Sequence, residues 1–256
     1  MKTLNNLILV IAVLAFASCS KYPSSEVSGN HNFNSSDYVN PPEEKIDVYI
    51  TLGNEVTINR DISSYSPELR MSAFNDDYTD FIDMGEFLID NVKQPTDPNS
   101  NAVRVKSHDL INKYGKSVNF SLTGNKDLGI SSKSFDINVP EFVVIDRNKT
   151  TATVHRNSPY TINWIPSGVD SRIVISVHSN IVENVNGKNT RRVLYFEPEI
   201  DGSYTFNPAD LNELPIGSAI MRVMRYNMKD VKTSENKNVR ISAYSECHYK
   251  INLSDN

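Results

Sequence analysis

Only two cysteines occur in 256 residues, Cys19 and Cys247. With Cys19 claimed by the export chemistry read below, no disulfide can form within the chain, and the body must hold by packing alone. Cys247 lies in an apolar-alternating segment and reads as a small buried hydrophobe. Basic residues are also short, 26 against 31 acidic ones, for a net charge of −5. A nucleic-acid partner wants a basic face, so the expectation is no nucleic acid. There is no apolar run of the roughly 20 residues that a membrane-spanning helix needs. Catalytic signatures are missing as well: no Gly-x-Ser-x-Gly elbow, no phosphate loop and no dinucleotide fingerprint. His31, His108, His155, His178 and His248 show no zinc-type spacing with each other or with cysteine.

The first residues, by contrast, are distinctive. Lys2 supplies a short positive region, Leu7 to Ala17 is apolar without a charge, and the small residues Ala17 and Ser18 precede Cys19. A charged start, a short apolar run and small residues at the end make a secretory signal. Residues 1–18 are therefore expected to be removed. That takes away Lys2 and no acid, leaving 25 basic against 31 acidic residues, net −6.

Phe16-Ala17-Ser18-Cys19 resembles the lipobox of bacterial lipoproteins, in the looser form of Bacteroidota-type bacteria, with Phe16 where an aliphatic is usual. The resemblance implies a covalent lipid on Cys19 and a membrane partner reached through it. More than one acyl chain, each buried methylene contributing about 0.8 kcal/mol, makes such an anchor stable. Ser20 in place of aspartate resembles the outer-membrane class, and the acidic tag of surface export is missing after Cys19. Periplasmic and cell-surface faces both stay open.

Residues 19–44 are rich in Ser, Asn, Pro and Gly and poor in large apolar groups, so they read as a flexible tether. The pattern then takes a period of two, the mark of half-buried strands. Ile46, Val48, Ile50 and Leu52 alternate with polar residues; Gly53-Asn54 reads as a turn, after which Val56 and Ile58 resume. Phe87–Ile89, Val103–Val105, Val118–Leu122 and Phe135–Val139 follow, separated by Pro-, Gly- and Asn-bearing turns. A short helical stretch is expected near Ser107–Lys113. After Pro140, about seven short strands crowd into about 110 residues, the sandwich pattern. Asn207-Pro208-Ala209-Asp210-Leu211 reads as one helical turn between strands. The expected fold is all-β: two tandem β-sandwich domains, 45–140 and 141–256, after the leader and tether.

Tyr160-Thr161-Ile162-Asn163-Trp164 and Asp201-Gly202-Ser203-Tyr204-Thr205-Phe206 resemble phrases of immunoglobulin-like and fibronectin-like sandwiches. There the tyrosine hydroxyl ties a corner back to the backbone. The whole of roughly 45–250 also resembles a recurring type of Bacteroidota lipoprotein. The phrases that carry this are Ser72-Ala73-Phe74, Phe81 to Asn91, the Trp164 segment, and Asp201 to Phe206 followed by Leu211 to Gly217. It implies architecture and location, and no activity.

Among candidate site residues, Asp76, Asp77, Asp80, Asp83 and Glu86 crowd one segment. Several carboxylates suit Ca²⁺, which wants several oxygens, although the spacing of a calcium loop is absent. A solvated hairpin explains the same acids without an ion. A pair of them as glycosidase acid and base is the hydrolase alternative, weakened because adjacent strand residues point to opposite faces. Tyr65, Tyr78, Tyr114, Tyr160 and Tyr226 fall near predicted turns or strand edges, where rings can anchor a partner. The resulting expectation is a lipid-anchored, non-catalytic module that binds a protein or glycan through loops at the sandwich ends. An envelope hydrolase around Asp76–Glu86 and a structural subunit of an envelope assembly are the alternatives.

Overall fold

The structure, a computed structural model, describes residues 46–59, 62–73, 82–98, 101–128, 131–168, 170–185, 188–198, 202–234 and 236–255. The leader, the tether, Cys19, His31, Asp76, Asp77, Tyr78 and Asp80 lie outside the described residues.

The fold is all-β. The strands are β1 (Val48–Asn59), β2 (Ile62–Ala73), β3 (Phe87–Ile89), β4 (Val92–Lys93), β5 (Val103–Lys106), β6 (Lys116–Leu122), β7 (Lys133–Val139) and β8 (Thr153–His155). They continue with β9 (Tyr160–Asn163), β10 (Arg172–Ser179), β11 (Glu183–Val185), β12 (Lys188–Thr190), β13 (Val193–Phe196), β14 (Ser203–Phe206), β15 (Gly217–Lys232) and β16 (Asn238–Ser254). The two expected helical turns are present. A 3₁₀ turn at His108–Lys113 is capped by the Ser107 side chain, which accepts from the Asp109 amide. At Pro208–Leu211 the Asp210 carboxylate accepts from the Asn207 amide.

One eight-stranded sheet runs through both halves of the chain, in the order β13-β10-β15-β16-β1-β2-β5, with β8 beside the far end of β16. Its middle is made by the ends of the body: β1 pairs in parallel with β16, Val48 opposite Val239 and Val56 opposite Cys247. A four-stranded sheet, β4-β3-β6-β7, and the two-stranded β14-β9 accompany it. The β3–β4 hairpin turns through Asp90 and Asn91, both at positive φ, which a two-residue type I′ loop requires. Asp90 is held there by accepting from the Asn119 amide and from Lys113 Nζ.

Alternation along the long strands sends one set of side chains to a single face. That face carries two apolar cores. The first joins Val48, Ile50, Leu52, Leu69 and Met71 to Phe87, Phe120, Phe135 and Val139. The second joins Ile162, Trp164, Ile175, Phe206, Met221, Val223 and Cys247. Each fully buried side chain of this size stabilises by about 1.5–3 kcal/mol. Most residues of the first core precede Pro140 and most of the second follow it, a boundary that Val56 of β1 crosses. β16 does not respect that boundary: Val239, Ile241 and Ala243 enter the first core, while Cys247, Ile251 and Leu253 enter the second.

A polar row separates the cores. Asn54, Ser245 and Arg225 are register neighbours on β1, β16 and β15, and all three are buried. The segment joining the two halves lies over them. Ser245 Oγ accepts from the Val143 amide at 3.1 Å, and Arg225 donates to the carbonyls of Phe142 and Ile165.

Two local readings need correction. Gly53-Asn54 is not a turn: β1 runs through it unbroken, because Gly53 makes room for the ring of Tyr244 on the neighbouring strand. And β2 is a full strand that the alternation did not announce, since its first half carries serines and a proline. Pro67 is tolerated because β5 pairs only from Glu68 onward, so one side of β2 is an edge at that point.

Candidate functional site

Opposite the cores, the second face of the eight-stranded sheet gathers most of the polar chemistry of the described residues. Strand register sets it out in rows. Gly53, Tyr244, Tyr226 and Arg172 form one row across β1, β16, β15 and β10. Glu55, Glu246, Met224 and Val174 form the next. His248, Arg222, Ser176 and Tyr195 form a third, across β16, β15, β10 and β13.

The aromatic part is packed rather than open. Val174, Met224 and Tyr226 are buried together, with Tyr195, Met228 and Tyr244 packed around them. The Arg172 guanidinium lies 5.3 Å from the Tyr226 ring centroid, a cation–π contact, and pairs with Glu197. Toward β5, Glu68 accepts from Arg70 at 2.8 Å and from Arg104 at 2.5 Å. Burial alone would raise the Glu68 carboxyl, but those two guanidinium bonds outweigh it and hold it below its ordinary range.

The polar centre is Glu55, Glu246 and His248. His248 Nδ1 stands 2.9 Å from Glu55 Oε1, and Nε2 stands 3.3 Å from Glu246 Oε1. Nε2 is buried and has no hydrogen-bond partner among the described residues. One ligand atom from each of the three residues falls within 4.8 Å of the others, so this trio has the proximity a metal ion needs.

Beside it, Ser176 Oγ and His178 Nε2 are 2.8 Å apart. Burial, with the Arg222 charge nearby, pushes His178 down to about 3. Such a ring is neutral and a poor base at neutral pH, so the pair lacks the activation a serine nucleophile needs. A second Ser–His contact, Ser254 Oγ to His155 Nδ1 at 3.0 Å, joins register partners on β16 and β8. Among the described residues neither imidazole has a carboxylate partner to orient it as a triad requires. Cys247 points into the second core, and burial pushes its thiol up to about 11, away from nucleophilic use.

The residues singled out in the sequence are placed differently. Asp83 accepts from the Gly85 amide and from Asn125, and Glu86 pairs with Lys93 at 2.5 Å. Both are exposed and serve the loop leading into β3, and neither belongs to the trio on the large sheet. Of the tyrosines expected as exposed contacts, Tyr114, Tyr160 and Tyr226 are buried. Tyr114 stacks on Phe142 at 4.5 Å, and Tyr160 donates to the Thr151 carbonyl at 2.8 Å. Their rings fill cores and seams because a large half-polar ring gains most where its body is covered and only its hydroxyl needs a partner. Tyr65 is partly exposed, with its ring 4.8 Å from Phe142. Tyr249 likewise ties its hydroxyl to the backbone, donating to the Thr150 carbonyl.

Sequence spacing shows only two of the three residues Glu55, Glu246 and His248. Glu246 and His248 are two apart and so share a strand face, but Glu55 reaches them only through the parallel pairing of β1 with β16.

The chain matches no protein-family model and no curated protein.

Proposed function

We propose that this chain is an exported lipoprotein, anchored in the outer membrane by lipid on Cys19, whose β-rich body acts by binding a protein partner. The single observation that carries the reading is the leader: the apolar run Leu7–Ala17, free of charge, ending in Ala17-Ser18-Cys19. Among the described residues no helix is long and apolar enough to cross a membrane.

Two features of the body support the binding role. The imidazole–serine contacts are deactivated or unoriented, as described above. And Ile181, Val182 and Ile216 are exposed together, with Ile181 lying over Gly217 and the Asn180 amide bonded to the Ser218 carbonyl. They cap one end of the large sheet. The chain enters at the other end, where the Asp47 amide donates to the Asn238 carbonyl. The 17 residues of β16 separate these ends by roughly 50 Å at the rise of an extended strand. On an anchored chain the aliphatic tip is thus remote from the point of attachment. Aliphatic side chains without an exposed ring suit a protein surface better than a sugar, which stacks on aromatics.

Metabolic labelling with a palmitate analogue tests the anchor. The wild type takes the label and sediments with outer membrane, and Cys19→Ala does not; an unlabelled wild type removes the anchor from the reading. A photo-crosslinking residue at Ile216 tests the tip on intact cells. A discrete adduct is expected there and not from the same probe at Lys106 on β5, and equal yields from both positions remove the tip as the contact.

A further inference from the structure

We propose that Glu246 and His248, steadied by Glu55, form a binding site for a late first-row divalent metal ion such as Zn²⁺. The geometry comes from the sheet. Glu55 and Glu246 are register partners on parallel strands, and His248 follows Glu246 on the same face. The trio therefore sits on the best-paired strands of the body rather than on a loop, which fixes ligand positions.

The two sides of the imidazole differ. Nδ1 and Glu55 Oε1 are 2.9 Å apart, a normal hydrogen-bond length. With Nδ1 turned to a carboxylate, Nε2 is the ring nitrogen left for a metal ion. It stands 3.3 Å from Glu246 Oε1, without hydrogen-bond geometry and without another partner among the described residues. A cation placed between a ring nitrogen and a carboxylate oxygen binds both. With metal–ligand distances near 2.0–2.2 Å, two ligands of a tetrahedral ion stand roughly 3.3–3.5 Å apart. The Nε2–Oε1 separation fits that edge better than it fits a hydrogen bond.

The chemistry of the donors selects the ion. Imidazole with carboxylate suits zinc and its neighbours, whereas Ca²⁺ and Mg²⁺ take oxygen ligands throughout. Water completes the coordination. Arg222, the register partner of His248, adds one positive charge beside two carboxylates and leaves the cluster net negative.

Titration calorimetry of the full chain in detergent with ZnCl₂ tests the site, with Co²⁺ absorption reporting four-coordination. One ion per chain is expected, with Ca²⁺ failing to compete. His248→Gln and Glu246→Gln should each abolish it. Glu55→Gln, an exposed change that leaves folding intact, should weaken binding about 10- to 100-fold, the usual effect of losing a carboxylate behind a ligating histidine. Thermal melts of each variant separate loss of ligand from loss of fold. No zinc binding by the wild type, or binding that survives both His248→Gln and Glu246→Gln, overturns the proposal.

Discussion

Gly53 lies directly beneath the ring of Tyr244: a Cβ added to Gly53 would stand 2.3 Å from Tyr244 Cζ. The two are register partners on the parallel strands β1 and β16. The glycine is there for the space it leaves and not for its backbone freedom. Gly53→Ala should therefore destabilise by about 1–3 kcal/mol, the usual cost of overpacking. Urea denaturation measures it. In a Tyr244→Ala background the same change should cost far less, and a double-mutant cycle with no coupling between the two would contradict the contact.

The polar row between the cores makes two opposite expectations. Arg225 is fully buried and satisfies the carbonyls of Phe142 and Ile165. Arg225→Met should cost about 1–3 kcal/mol, because it takes a charged donor from two carbonyls at the seam of the cores. Asn54 is equally buried, yet neither its amide nitrogen nor its amide oxygen has a partner among the described residues. Asn54→Leu should then be neutral or stabilise by about 1 kcal/mol, since it removes two unsatisfied groups. Equilibrium unfolding of both variants decides; a large loss for Asn54→Leu would mean that the amide is satisfied after all.

His178 gives the folded state a pH slope. Burial holds it down to about 3, against about 6.5 for the unfolded chain. Between those values the unfolded state binds the extra proton and the folded state does not. Stability from this group therefore rises with pH through that window, by at most about 1.4 kcal/mol per pH unit. His178→Gln should flatten the profile of stability against pH from about 4 to 6.5. An unchanged slope would show that the ring protonates in the folded protein.

Asp90 and Glu68 work in a lower window. Each carboxyl is held below its ordinary value, near 4 for the unfolded chain. Burial opposes this in both. At Asp90 it is overcome by Lys113 and the Asn119 amide, and at Glu68 by Arg70 and Arg104. A depressed carboxyl contributes stability above its unfolded value, and that contribution is lost as pH falls through the folded one. Thermal melts between pH 2 and 5 should lose part of their steepness in Asp90→Asn and in Glu68→Gln. If neither variant changes the profile below pH 4, these ion pairs do not stabilise the fold.

The fold class was legible because alternation is a local signal: every second residue of Val48–Leu52, Val118–Leu122 and Phe135–Val139 is apolar, and each became a strand. The helical turn at Pro208–Leu211 was legible from Asn207-Pro208 at its start, and a short helical stretch was expected where the turn at His108–Lys113 lies. What could not be read was pairing. Nothing local says that Val48 meets Val239, so the shared sheet and the path of β16 through both cores stayed hidden. The same blindness hid the trio of Glu55, Glu246 and His248. Tyrosine was misread for a different reason: a ring near a turn in sequence, such as Tyr114, can stand under the next segment in space.

The parallel pairing of β1 with β16 also sets a clock. The first strand of the body has its neighbour nearly 200 residues downstream, Val48 against Val239. Contacts so distant in sequence carry a loop-closure cost before any reward, and folds dominated by them form slowly. Neither core can be completed until the last strand has emerged. A chain that leaves the ribosome in order therefore stays open until β16 has emerged. On the export reading proposed above, the topology that makes the finished sheet continuous would also keep the unfinished chain in the open form that a threading translocase takes.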